Sequence, residues 1–170
     1  MSADAASAAI IGWREWVALP KLGVQTVKAK IDTGARSSAL HAFEVERFEQ
    51  NGRAMVRFQA HPLQRNDEQV VIAEAILLEE REVRNSGGQV ELRPVIETPV
   101  QVGAAVWAIE LTLTNRDQMG FRMLLGRQAV RRRYLVDPGR SYLHPLPERP
   151  PLAHDELPPK HHPEDDVQTL

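Results

Sequence analysis

Residues 24–36 read Val24-Gln25-Thr26-Val27-Lys28-Ala29-Lys30-Ile31-Asp32-Thr33-Gly34-Ala35-Arg36. The alternation from Val24 to Ile31 has the period of a half-buried strand. A carboxylate, Asp32, follows at once on a tight Thr-Gly turn. A strand that ends this way holds its acid rigidly in a nearly buried cleft. Thr33 offers a hydroxyl that can reach across to a partner turn. Gly34 lets another backbone come close and permits a positive φ. Asp-Thr-Gly occurs once in the chain. Acid–base chemistry by paired carboxylates needs two, which implies a symmetric homodimer.

A strand ending in Asp-Thr-Gly is the local signature of an aspartic peptidase half-site, although the same letters also make ordinary turns. The half-site needs a second element, an apolar-apolar-Gly segment packed beneath the catalytic turn. Met123-Leu124-Leu125-Gly126-Arg127 fits, and Gln128 to Arg133 reads as one or two helical turns after it. Gly126 would let the chain pass close to the Asp32 turn.

Ile31-Asp32-Thr33-Gly34-Ala35-Arg36-Ser37-Ser38-Ala39-Leu40-His41-Ala42 resembles the active-site segment of the retropepsin-like bacterial aspartic proteases often mislabelled "ATP-dependent zinc protease". Arg84-Asn85-Ser86-Gly87-Gly88, Arg93-Pro94-Val95-Ile96, Leu111-Thr112-Leu113-Thr114-Asn115-Arg116 and Phe121 to Arg127 resemble that family in the same order. The resemblance runs from about Gly12 to Leu143. One branch, RimB, is similar to retroviral aspartic proteases and is associated with a ligase that adds glutamate tails to a small-subunit ribosomal protein. Asp32, Thr33 and Gly34 are the expected catalytic residues, with Ala35, Arg36, Lys30 and Arg127 expected on the substrate side. The resemblance implies hydrolysis of acidic, glutamate-rich substrates such as those tails. The alternative is a retropepsin-fold binding or adaptor protein that lacks turnover.

The zinc and ATP labels find no support in the residues. There is no His-Glu-x-x-His and no Gly-x-x-x-x-Gly-Lys-Ser/Thr loop. Arg84 to Gly88 is glycine-containing but sits between strand-like flanks, so it reads as a hairpin turn. No metal ligand set and no cofactor are expected; a metallopeptidase would need ligands that the sequence does not display. His161, His162, Glu164, Asp165 and Asp166 in the tail have poor spacing for a metal site.

At 170 residues the chain is one domain, long enough for a real core. A formal net charge of −2 does not point to nucleic acid. Zero cysteines exclude disulfides and thiol catalysis and fit a reducing compartment. There is no long apolar run for a membrane span and no basic, apolar leader at the start, so a cytoplasmic protein is expected.

Residues 1–9 are small and polar, and read as a flexible N-terminus. Residues 10–143 read as short strands, and residues 144–170 as a Pro-rich flexible tail. Asn51-Gly52 between alternating segments signals a hairpin. Val70 to Leu78 fits a strand, although its length alone also allows a helix. Val90 to Val102 and Val106 to Thr114 form a further pair turning near Gly103. The expected fold is all-β: a closed six-stranded-type barrel with one short helix near the C-terminal end. Residues 44–60 are the first choice for a flap over the cleft.

Basic side chains flank both halves of the site in a slightly acidic chain. Arg36, Lys30 and Arg127 would favour an acidic peptide, with Arg131, Arg132 and Arg133 close behind. Charged strand residues are also the ordinary composition of a solvated face. His41 reads as a structural hydrogen-bonding group, and Ser37 and Ser38 as turn or strand hydroxyls. Trp107 and Ile109 read as core, and Asp137-Pro138-Gly139 as a turn. Glu110 and Asp117 are carboxylates with nothing nearby in sequence to suggest chemistry.

Overall fold

The computed structural model describes residues 8–62, 70–85, 87–115 and 120–146. The strands are β1 (Ala9–Gly12), β2 (Arg14–Leu19), β3 (Val24–Asp32), β4 (Ser38–His41), β5 (Phe43–Gln50), β6 (Arg53–Ala60), β7 (Val71–Arg84), β8 (Val90–Val102), β9 (Ala105–Thr114), β10 (Met123–Gly126) and β11 (Tyr134–Asp137). A one-turn helix, α1 (Arg127–Val130), lies between β10 and β11. Strands β2-β3-β10-β4-β9-β8 are bonded in that order, and β2 meets β8 at Ala18 and Gln101, closing a six-stranded barrel. This is the all-β barrel with a short late helix that the sequence leads one to expect. Strands β7, β6 and β5 continue outward from β8 as an antiparallel wing. β1 and β11 form a separate parallel pair.

Side-chain alternation explains the closure. Val24, Ala29 and Ile31 of β3, Ile96, Val100 and Val102 of β8, and Trp107, Ile109, Leu111 and Leu113 of β9 point into one core. Leu19, Leu40, Met123 and Leu125 complete it, and Phe58 of the wing is wholly buried against it. Each Val, Leu, Ile, Phe or Met among them contributes about 1.5–3 kcal/mol on leaving water. Asn51 and Gly52 both take positive φ, 52° and 76°, the geometry of a two-residue hairpin turn between β5 and β6. Residues 71–84 settle as a strand because β6 and β8 take up backbone groups on both of its edges. Gly103 turns β8 into β9 with φ 56°.

The two ends of the domain are tied together by a buried acid. Glu15 is fully buried on β2 and accepts hydrogen bonds from the backbone N–H groups of Gly12, Leu143 and His144, at 2.9, 3.0 and 3.3 Å. Trp13 N–H donates to Arg140 O and Tyr142 N–H to Arg14 O. Trp16 stacks on Tyr142, and the Arg14 guanidinium lies over both Trp13 and Tyr142. β1 starts at Ala9, and His144 packs edge-on against Tyr134. Residues 147–170 of the expected tail, including His161 and its acidic neighbours, lie outside the described residues, as does Asp117. No helix among the described residues is long and apolar enough to cross a membrane.

Replacing Glu15 with Ala orphans one buried and two partly buried N–H groups, a buried one costing about 1–3 kcal/mol. The expected outcome is a loss of about 3 kcal/mol or more in urea unfolding, with faster hydrogen exchange at Leu143 and His144. Unchanged protection at those amides would show that Glu15 is not the tie.

Candidate active site

The parallel pairing of β3 and β10 sets Gly126 level with Asp32 and Leu125 level with Ile31. The approach is so close that a side chain at position 126 cannot fit. A Cβ there would lie 2.5 Å from the Ser37 carbonyl carbon and oxygen. Beyond the strand, α1 braces the turn by backbone bonds. Arg127 N–H donates to Ala35 O at 2.7 Å and Gln128 N–H to Arg36 O at 3.1 Å. The Ser38 hydroxyl accepts from Gly126 N–H, and Thr112 donates its hydroxyl to Ser38 O.

The half-buried Asp32 carboxylate closes its own turn. Its Oδ1 accepts from Gly34 N–H at 3.0 Å and from Ala35 N–H at 3.2 Å. These bonds fix the side chain's direction. Gly34 departs from the sequence reading in one respect, since it is not among the glycines with positive φ. What its small size provides is room: a Cβ would sit 3.2 Å from Asp32 Oδ1. Thr33 is exposed at the tip of the turn.

Asp32 opens into a cleft of about 500 Å³ that also meets Ala35, Arg36, Arg81, Arg84 and Arg93. The hairpin reaching over it is β7–β8, through Glu82, Val83, Arg84 and Asn85. This corrects the choice of residues 44–60 as the flap. The β5–β6 hairpin lies at the far end of the wing, beyond β7, and contributes nothing to the cleft lining. The segment Arg84–Gly88 is a hairpin turn, as its flanks suggest, and Asn85 Oδ1 accepts from Gly87 and Gln89 N–H groups.

Of the basic residues expected on the substrate side, Arg36 is exposed and lines the cleft. Arg127 does not line it; its Nη1 donates to Thr33 O at 3.0 Å, making it a brace for the turn. Lys30 also lies outside the lining, in register between Arg14 of β2 and Leu124 of β10. The hairpin arginines were not legible as site residues. Arg81 Nη2 donates to Glu79 Oε1 at 2.6 Å and to Glu110 Oε2 at 3.0 Å, and its Nη1 reaches Ser37 Oγ at 3.4 Å. The hydrogen bond to Glu110, followed by that to Glu79, raises the Arg81 pKa further. Arg93 is buried and pairs with Glu91, which also accepts from Thr114. Ser38 is a structural hydroxyl, as its bond to Gly126 shows. His41 N–H donates to Arg122 O at the end of β4. Among the described residues no His, Cys, Asp or Glu side chains gather in a group fit to hold a metal ion.

Residues 10–147 match the family model described as RimB-like, retropepsin-like aspartic endopeptidase RimB. The chain belongs to this family. The RimB-like unit also occurs inside longer proteins. It is 44% identical over 133 residues to a Shewanella halifaxensis protein named probable alpha-L-glutamate ligase, covering 78% of this chain and 29% of that protein. A Parasynechococcus marenigrum protein of the same name is 50% identical over 134 residues, covering 78% of this chain and 28% of that one. The chain thus spans less than a third of the curated relatives it matches. A solved Legionella pneumophila protein of unknown function shares the fold, with a TM-score of 0.67 and 29% identity, covering 79% of this chain and 97% of that one.

Gly126→Ala forces a methyl group into the Ser37 backbone. Such overpacking costs typically 1–3 kcal/mol. A fall of several degrees in Tm is expected by calorimetry; an unchanged Tm would mean that the close approach does not constrain the site.

Proposed function

We propose that this RimB-like chain is a homodimeric aspartic peptidase that hydrolyses peptide bonds in acidic, glutamate-rich substrates, of which glutamate tails on a ribosomal protein are the leading example. The observation that carries this reading is Asp32. Its carboxylate is aimed by two backbone N–H groups into a cleft bordered by Arg36, Arg81, Arg84 and Arg93.

One chain supplies one such acid. In a two-fold dimer the pair shares a proton, because two like charges at contact distance cannot both ionise cheaply. The ionised carboxylate removes a proton from water, and the oxygen adds to the scissile carbonyl carbon. The protonated carboxyl gives its proton to the carbonyl oxygen. Collapse of the tetrahedral carbon breaks the C–N bond, and the leaving nitrogen takes up a proton. Water is consumed, an acid and an amine are released, and no covalent enzyme intermediate forms. Nothing in this sequence of steps needs ATP.

The charge of the cleft supports an acidic substrate. Arg36 makes no ion pair among the described residues, so its guanidinium is available to a ligand carboxylate. The ligase name of the longer relatives brings the same chemistry, the glutamate peptide bond, into one polypeptide with a RimB-like unit. That name also underlies a second reading, a non-catalytic recognition module for glutamylated proteins in a cytoplasmic modification system. An intact, braced Asp32 turn weighs for the enzyme.

Asp32→Asn tests the choice. Each acid–base role contributes about 10²–10⁴-fold, so release of glutamate from a glutamate-rich peptide falls at least a hundredfold while the thermal midpoint stays put. Retained turnover would remove Asp32 from the chemistry. Binding without turnover in the unaltered protein would favour the recognition module.

A further inference from the structure

A second cavity of about 400 Å³ adjoins the Asp32 cleft, lined by Arg36, Ser37, Arg81, Glu110, Gln128 and Arg131. Arg36, Ser37 and Arg81 border both spaces. They stand at the junction, where an extended chain lying over Asp32 would pass from one space to the other. Arg36 and Arg131 make no ion pair among the described residues. Arg81 differs, because Glu79 and Glu110 already hold it.

We propose that Arg81, with Arg36, forms a carboxylate subsite at this junction, and that Glu110 occupies Arg81 as a placeholder which an acidic substrate side chain displaces. This deepens the peptidase reading and rests on it. The exchange is balanced: one carboxylate replaces another on the same guanidinium, and Glu110 returns to water. It is also cheap. The Glu79 and Glu110 side chains are 51% and 53% exposed, and pairs open to solvent are weakly held. A substrate carboxylate that gains Arg36 as well as Arg81 makes charge-assisted bonds that Glu110 alone does not. Arg81 sits on β7, in the hairpin that covers the cleft, whereas Glu110 belongs to the barrel wall. The contact exchanged is therefore one that ties hairpin to barrel. The placeholder also explains an otherwise odd arrangement, in which a site for acidic ligands keeps an acid of its own at its entrance.

The two substitutions should act in opposite directions. Glu110→Gln removes one of the two acids that hold Arg81 and should lower KM for a glutamate-rich peptide about two- to fivefold. Arg81→Ala should raise that KM about tenfold, with a smaller change in kcat and little effect on a glutamine-for-glutamate peptide of equal length. Binding of labelled tetraglutamate, followed by anisotropy in an Asp32→Asn background, should shift in the same directions. A purely structural pair predicts that both variants weaken binding or leave it alone, and either result overturns the subsite. Wild-type cleavage with unaltered tetraglutamate binding in both variants would sink the subsite and spare the peptidase. Opposed shifts in binding without any cleavage would keep the subsite and sink the peptidase. A chain that neither binds tetraglutamate nor cleaves the peptide would end both.

Discussion

The contact between Gly126 and Ser37 sets the geometry on which the site depends. Two stretches far apart in sequence run side by side because a missing Cβ lets them. Once β10 lies parallel to β3, the start of α1 has a fixed position. Its backbone N–H groups then close on Ala35 and Arg36, and the Arg127 side chain on Thr33. Asp32 is consequently aimed by main-chain atoms, which do not change with side-chain substitution. A carboxylate held this way keeps its direction before any ligand arrives, and preorganisation of that kind is what positioned acid–base groups require.

Electrostatics separate the site from the rest of the molecule. The chain carries a net charge of −2, yet arginines gather around the cleft into which Asp32 opens. Arg93 is neutralised from within by Glu91 and acts as part of the wall. Arg36 faces outward and Arg81 holds partners that water also reaches. This gradation runs from locked to available guanidinium groups, and the buried Arg93 of the cleft is paired. Local potential rather than overall charge governs what such a cleft attracts.

Much of this was legible in the chain because the signals were local. Asn51-Gly52 announces its turn, Val24 to Ile31 its strand, and Leu124-Leu125-Gly126 its close packing. Trp107 and Ile109 declare the core by alternation. What escaped was non-local. Arg81 and Glu110 lie 29 residues apart and meet only because β7, β8 and β9 are successive strands. The Asn51-Gly52 hairpin looked like the better flap because its turn chemistry is stronger. Turn strength says nothing about where in a sheet a hairpin ends up. Arg127 and Lys30 stand close to the motif in pairing, but the Arg127 side chain braces the turn and Lys30 lies outside the cleft lining.

The account stands or falls on two Asp32 side chains acting as one unit, and subunit mixing measures this most directly. Unaltered and Asp32→Asn chains are refolded together in varying ratio, and peptide hydrolysis is followed at constant total protein. If each active centre draws one acid from either chain, activity follows the square of the unaltered fraction, and an equal mixture keeps about a quarter. A linear response, with about half the activity left in the equal mixture, would show that each chain works alone and would contradict the shared centre.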